Sequence, residues 1–383
     1  MKKLTLSLMM AFCTMGLFAQ ELANFNFGRV NVVSPEIGEQ SVTFRIQAPQ
    51  AQNVQVSLSW QQQPVAMTKN QQGVWEVSVP RPAAELYTYN FVVDGVKVND
   101  ANNIFMQRDG TTFLSVLLIP GKLTENYFEA NKRGDLHQVW YESPTLGMER
   151  RMFVYTPHGY NDMKEPLPVL YLLHGAGGDE DAWSNMGRTC QIMDNLIEKG
   201  QAKPMIVVMP NGNASQEAAP GETSEGLKQP SFMLPKTMDG SFEEAFPEIV
   251  AFVDKNYRTQ AKKSSRAIAG LSMGGFHAMH ISKENADMFD YVGLFSAAVF
   301  RGDTATSSVY ADMEQKLKVQ FAMRPRLYWI AIGDKDFLYE ENVRYRALLD
   351  AEGYDYQYFE SGDGHVWKNW RIYLSKFVPM LFK

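Results

Sequence analysis

The sequence predicts a small all-β, immunoglobulin-like sandwich followed by a larger α/β domain built on a mostly parallel sheet covered on both faces. Three observations carry this reading. Residues 22–120 run as short segments of alternating apolar and polar residues separated by Pro, Gly, Asn and Gln, the pattern of antiparallel strands with one buried face. From residue 136 to 383 the pattern changes to short, continuous apolar runs alternating with amphipathic stretches, as buried parallel strands and their crossover helices require. The chain has 383 residues, 45% of them hydrophobic, enough to bury two cores.

Taken from the start, Lys2 and Lys3 precede the apolar run Leu4 to Phe18, with the small Ala19 before Gln20. This is the layout of a cleaved leader over residues 1–19. The run is too short to span a bilayer, and nothing else approaches the roughly 20 apolar residues a span needs. The chain is therefore expected to be exported to the periplasm or beyond the cell, with no membrane span. Cys13 lies within the apolar run, where the bulky Phe12 before it argues against lipidation. Cys190 is then the only cysteine of the exported chain, which excludes an intramolecular disulfide. Losing Lys2 and Lys3 takes the formal charge from −6 to −8. Basic runs are absent, so neither nucleic acid nor an anionic membrane is expected as a partner.

Strands are predicted over Ser41 to Gln47, Asn53 to Trp60, Gly73 to Val79, Tyr87 to Val93 and Thr112 to Leu118. Asp94-Gly95 after the fourth reads as a hairpin turn, because such turns demand positive φ. Residues 121–135 lack periodicity and are read as a linker or a packed connector. In the second domain, buried strands are predicted at Pro168 to Leu173, Met205 to Met209, Arg266 to Ala269 and Arg326 to Ile332, with helices at Phe242 to Tyr257 and Glu340 to Glu352.

Gly270-Leu271-Ser272-Met273-Gly274 follows the apolar "RAIA" and precedes a stretch able to open a helix. This strand, turn and helix context is that of a nucleophile elbow, whose glycines relieve crowding around a strained serine. Taken alone, the string also fits an inert serine in a glycine-rich turn. Three histidines follow it, and His277 and His280 lie on the helix that Ser272 opens. Only His365, in the loop-like "SGDGHVWKNW", leaves room for an acid in the chain order nucleophile, acid, histidine. Asp334 and Asp336 both stand just beyond the apolar run "LYWIAIG", where a carboxylate can reach the histidine. The segment His174 to Gly178 after another apolar strand can supply backbone N–H groups that, with that of Met273, form an oxyanion hole. Glu180 interrupts the G-x-G-x-x-G spacing there, which disfavours nucleotide binding. Neither H-E-x-x-H nor C-x-x-C occurs, so no metal and no organic cofactor is expected.

"LLHGAGGDEDAW", "VVMPNG", "FVDKNYRT", "RAIAGLSMGG", "IGDKDFLYEEN" and "GHVWKNWR" together resemble carbohydrate esterase family 1, the feruloyl and acetyl-xylan esterases related to esterase D. The resemblance covers residues 136–383 and implies an α/β-hydrolase fold with Ser272 as nucleophile, His365 as base, Asp336 rather than Asp334 as the acid, and Ala176 and Met273 as oxyanion donors. The segment around "YTYNFVVDGV" resembles the early-set, glycogen-binding-like modules that precede many polysaccharide-active enzymes. The implied function is a secreted feruloyl esterase acting on acylated plant cell-wall polysaccharide, with an acetyl-xylan esterase as the alternative. A glycan-binding protein with a vestigial hydrolase domain is the alternative from another class. Trp367 and Trp370 near His365 are candidates for an aromatic substrate wall or for packing. The long aperiodic segment 211–240 is expected to border the cleft, with Phe232 and Met233 as candidate contacts, or to be a surface insert. The acyl group and the oligomeric state are not readable from the sequence.

Overall fold

The computed structural model describes residues 32–227, 233–300 and 307–383. The expected leader and Phe232 lie outside these residues. The N-terminal module is a sandwich of two antiparallel sheets. One has four strands in the order Glu36–Ile37, Ser41–Gln47, Val74–Pro80, Thr68–Lys69; the other runs Val65–Ala66, Val54–Leu58, Leu86–Val93, Thr112–Leu118, Met106–Asp109, with Val96–Val98 also pairing Leu86–Val93. Alternation decides which face is buried: Val42 and Phe44, or Val54, Val56 and Leu58, turn inward to one core with Tyr89 and Phe91. The turn after Val93 has φ of 47° at Asp94 and 88° at Gly95, as its sequence requires.

The second domain has eight strands: β1 (Asp135–Ser143), β2 (Met148–Thr156), β3 (Val169–Leu173), β4 (Ile206–Pro210), β5 (Arg266–Leu271), β6 (Tyr291–Phe295), β7 (Leu327–Gly333) and β8 (Gln357–Ser361). They lie in the order β1-β2-β4-β3-β5-β6-β7-β8. The β1/β2 and β2/β4 pairs are antiparallel and the rest parallel. Every residue of β3, β4, β6 and β7 is buried, because helices cover both faces. The helices are α1 (Ala182–Asn185), α2 (Thr189–Glu198), α3 (Ser241–Asn256), α4 (Met273–Glu284), α5 (Met313–Ala322), α6 (Tyr339–Ala351) and α7 (Trp367–Phe377). One core gathers Phe246 and Ile249 of α3, Met279 of α4 and Leu349 of α6. The opposite core gathers Ile192 and Leu196 of α2 with Tyr373 and Phe377 of α7.

That second core does not stop at the domain edge, for Leu86, Val116 and Leu118 of the sandwich belong to it. The connector 121–135 is packed: Thr124, Tyr127 and Ala130 are buried, and Arg188 donates to the Tyr127 carbonyl at 2.7 Å. At the centre of the junction, Arg371 of α7 donates to Glu85 at 2.8 Å and to the Met186 carbonyl at 2.8 Å, and both side chains of this ion pair are about 95% buried. Removing one partner strands the other charge in the junction. Arg371→Met is expected to cost about 3–5 kcal/mol in urea unfolding, and the paired Glu85→Met, Arg371→Met variant markedly less. A loss in the paired variant equal to the sum of the losses from Arg371→Met and Glu85→Met alone would show that the charges act independently.

Candidate active site

The parallel strands bring their carboxyl ends to one edge of the sheet, where loops present functional groups. Ser272 follows β5 there, with φ 54° and ψ −116°, a conformation that costs of order 1–3 kcal/mol and persists only where its surroundings enforce it. They do so through backbone bonds: Ser272 N–H donates to the Phe295 carbonyl at 2.9 Å, and the Ser272 carbonyl accepts from Phe276 at 3.0 Å and Ala298 at 3.2 Å. The flanking glycines are steric necessities. A Cβ on Gly274 would meet the Leu173 and His174 carbonyl oxygens, one on Gly270 the Gly274 backbone, and one on Gly275 the Ala297 Cβ at 2.6 Å.

The loop after β3 lies beside this turn because Leu173 pairs in register with Gly270. Gly178 N–H closes a turn onto the Gly175 carbonyl at 3.1 Å, with Gly177 at φ 78°. His174 fastens the loop. Its Nδ1 lies 2.8 Å from the Gly175 carbonyl oxygen, which only accepts, and its Nε2 lies 2.8 Å from the Gly212 amide, which only donates. The ring is therefore the neutral Nδ1–H tautomer, consistent with burial pulling its pKa down. Met273 begins α4, so its N–H has no partner within the helix.

Asp336, 4% exposed, faces His365: Nδ1 lies 2.9 and 3.0 Å from the two carboxylate oxygens. Asp334 is exposed, and its N–H donates to Ser361 at 2.9 Å. The acid and histidine loops are latched together. Lys335 N–H donates to the Asp363 carbonyl at 3.1 Å, and the buried Asn369 donates to the carbonyls of Gly362 and Gly364 at 2.9 Å each. The His365 ring stands edge-on to Trp370, 4.9 Å between centroids, with Phe337 at 4.6 Å on another side.

Ser272, His365, Ala176, Trp367 and Trp370 line one cavity of about 460 Å³, together with Phe337, Val366 and Asp109. Both tryptophans thus pack and form wall: Trp367 and Trp370 meet edge to face at 5.1 Å, and Trp367 rests on Trp183 at 5.3 Å. Met233 is not among the residues lining this cavity. In the 211–240 segment no helix or strand occurs among the described residues, yet much of it is anchored: Ala214, Ala218 and Ala219 are buried, Arg150 donates to the Asn211 and Asn213 carbonyls, and Arg151 bridges Glu180 and Glu222. Sequence reasoning gave no role to His174, Asn369 or Asp109. The first stands in a glycine motif whose backbone drew the attention, the second makes bonds visible only in three dimensions, and the third belongs to the other module. Among the described residues no cluster of three or more His, Cys, Asp or Glu could hold a metal, and no helix is long and apolar enough to cross a membrane.

Comparison with known proteins bears on the family and the fold. Residues 143–381 match the model of the family described as "Putative esterase", and residues 30–105 match that of carbohydrate-binding module 48, the isoamylase N-terminal domain. An endo-1,4-beta-xylanase/feruloyl esterase of Xylanibacter ruminicola is 31% identical over 352 residues, which take in 89% of this chain and 44% of that protein. The chain thus spans less than half the length of this relative. A ferulic acid esterase of known structure superposes with a TM-score of 0.52 at 25% identity, covering 65% of this chain and 98% of its own. The enterobactin esterase of Shigella flexneri shares the fold across 89% of this chain and 94% of its own, with a TM-score of 0.60 at 16% identity.

Behind the elbow, α4 carries a second polar group. His277 bonds Glu243 at 2.8 Å, while His280 is buried against Phe276 and Tyr310, with neither ring nitrogen hydrogen-bonded among the described residues. Burial, with Lys283, His277 and Lys316 adding to it, holds the His280 pKa well below 6.5. As pH falls through 6.5 the unfolded chain takes up a proton that the folded chain refuses. Stability then falls by up to about 1.4 kcal/mol per pH unit until the folded pKa is reached. His280→Leu is expected to flatten the decline in urea midpoint between pH 8 and pH 5. An unchanged slope would mean that His280 titrates alike in both states.

Proposed function

The chain belongs to the esterase family whose model spans residues 143–381, and on that premise we propose that it is an exported serine esterase that releases hydroxycinnamoyl groups, feruloyl foremost, from plant cell-wall polysaccharide such as arabinoxylan. One observation carries the reading: a histidine bonded through Nδ1 to a buried carboxylate opens onto the same cavity as a serine at a strained strand-to-helix turn. In this mechanism Asp336 holds the proton on Nδ1 of His365 and leaves Nε2 as the base. Nε2 takes the Ser272 hydroxyl proton as Oγ attacks the ester carbonyl. The N–H groups of Ala176 and Met273 receive the developing oxyanion. His365 then protonates the departing sugar oxygen, and water activated by the same nitrogen frees the acid from Ser272.

The aromatic acyl preference is supported by the wall. Trp367, Trp370 and Phe337 surround a space of about 460 Å³, in the range of cavities that enclose a whole small ligand, and an acetyl group would leave most of it unfilled. The relative that matches 89% of this chain is named a xylanase and feruloyl esterase, which supports xylan as the polymer. The N-terminal module, similar to carbohydrate-binding module 48, fits a protein that works on glycans.

Ser272→Ala is expected to fold normally and to abolish hydrolysis of methyl ferulate, while Asp336→Asn lowers kcat by on the order of 10⁴-fold. Activity is measured on methyl ferulate, acetylated xylan and a small aryl acetate. Turnover of acetyl esters alone would make the protein an acetyl-xylan esterase. Silence of the wild-type chain on all three, with binding to xylan retained, would make it a glycan-binding protein.

A further inference from the structure

Among the described residues the cavity at Ser272 has one acidic member in its wall, and it comes from the sandwich. Apart from Ser272 and His365, every lining residue is glycine, alanine or a larger apolar or aromatic side chain, with the exception of Asp109. Asp109 ends the strand Met106–Asp109 and pairs with Thr112 across the two-residue turn Gly110–Thr111, with Gly110 at φ 57°. Its neighbours fasten this hairpin tip to the esterase domain. Arg108 donates to both oxygens of Asp179 at 2.8 and 2.9 Å, to Asp181 at 3.2 Å and to the Gly110 carbonyl at 2.8 Å. Gln107 donates to the Asn185 carbonyl at 3.2 Å. Successive residues of a strand face opposite ways, so fixing Arg108 on one side fixes what Asp109 presents on the other.

The Asp109 carboxylate is exposed and hydrogen-bonds to none of the described residues. Desolvation by its surroundings and the nearby Asp179 push its pKa up against the pull of Arg108. A rigidly held acceptor without a donor, set in an apolar wall, matches the few polar groups that orient a ligand in such cavities.

We propose that Asp109 is a specificity-determining residue that accepts a hydrogen bond from a hydroxyl of the ester held at Ser272, so that the N-terminal module reads the substrate directly. This rests on the esterase function proposed above. A hydroxyl is available on a hydroxycinnamoyl ring and on the sugar it esterifies; the chemistry at Asp109 is the same for both. A hydrogen bond to a charged acceptor is worth about tenfold or more in specificity.

The test compares kcat/KM of the wild-type chain with those of Asp109→Ala and Asp109→Asn on four esters: a small aryl acetate, methyl cinnamate with an unsubstituted ring, methyl ferulate, and a feruloyl ester of arabinose. Expected is a loss on a hydroxyl-bearing ester that exceeds the loss on methyl cinnamate by about tenfold or more. An excess already present on methyl ferulate assigns the contact to the ring phenol. An excess that appears only on the arabinose ester assigns it to the sugar. Equal losses on all four esters, or no loss on any, overturn the proposal even with the esterase activity intact. Silence of the wild-type chain on all four would instead overturn the esterase reading, and this inference with it.

Discussion

The close passage of the turn after β5 across the end of β3 is the constraint on which the site depends. Leu173 and Gly270 are register partners, so the loop carrying Gly175 and Ala176 and the turn carrying Ser272 leave the sheet side by side. There is no room between them for a Cβ at Gly274. That crowding holds Ser272 at its positive φ and sets the Gly175 backbone against the Ser272 side chain. Loosening it would let the serine relax toward ordinary geometry and separate the proposed nucleophile from the proposed oxyanion donors, so the strain is the cost of having both in one place.

Around this fixed point the supports are polar and buried, and they hold loops rather than do chemistry. His174 ties the loop after β3 to the exit of β4 at Gly212. Asn369 ties the histidine loop to the first turn of α7. The ion pair of Arg371 with Glu85 ties α7 to the sandwich, and the Arg108 bonds tie the sandwich to the segment that follows the oxyanion loop. Each bond is worth little net in water. Buried, such bonds fix position at the scale of a few tenths of an ångström that transition-state stabilisation needs.

The sequence revealed the parts whose signals are local. Short buried runs located β3, β4, β5 and β7, and alternation located the long sandwich strands to within two residues at either end. The turn glycines and the order of serine, acid and histidine picked out Ser272 and His365, which the fold brings to one cavity, and Asp336, which bonds the histidine. Asp334 and Asp336 were alike in sequence, since both follow the same strand; what separates them is that Asp336 is buried under His365 while Asp334 stays in solvent. Tyr291–Phe295 escaped notice because Gly293 interrupts its apolar run, and the strand Met106–Asp109 because four residues, two of them charged, carry too little periodicity. Contacts between modules left no trace in the sequence: Glu85 and Arg371 are 286 positions apart, and nothing in either neighbourhood names the other.

This last class of contact changes what the N-terminal module is for. A binding module on a free tether would raise the local concentration of polymer without touching the reaction. Here the sandwich shares the core that contains α2 and α7 and is clamped at Arg108 beside the oxyanion loop. It also lends a carboxylate to a wall whose other described members, the proposed catalytic pair excepted, have no charge. The esterase domain supplies the proposed triad and an apolar enclosure, neither of which can distinguish one hydroxylated substrate from another by much. Discrimination by a hydrophobic pocket saturates within about a few kcal/mol, whereas a fixed charged acceptor adds a preference for a ligand that brings it a hydroxyl. An acceptor placed on the module can therefore be changed without disturbing the elbow, which makes the hairpin at Asp109 the part of the cavity where selectivity is adjustable at least cost to the fold.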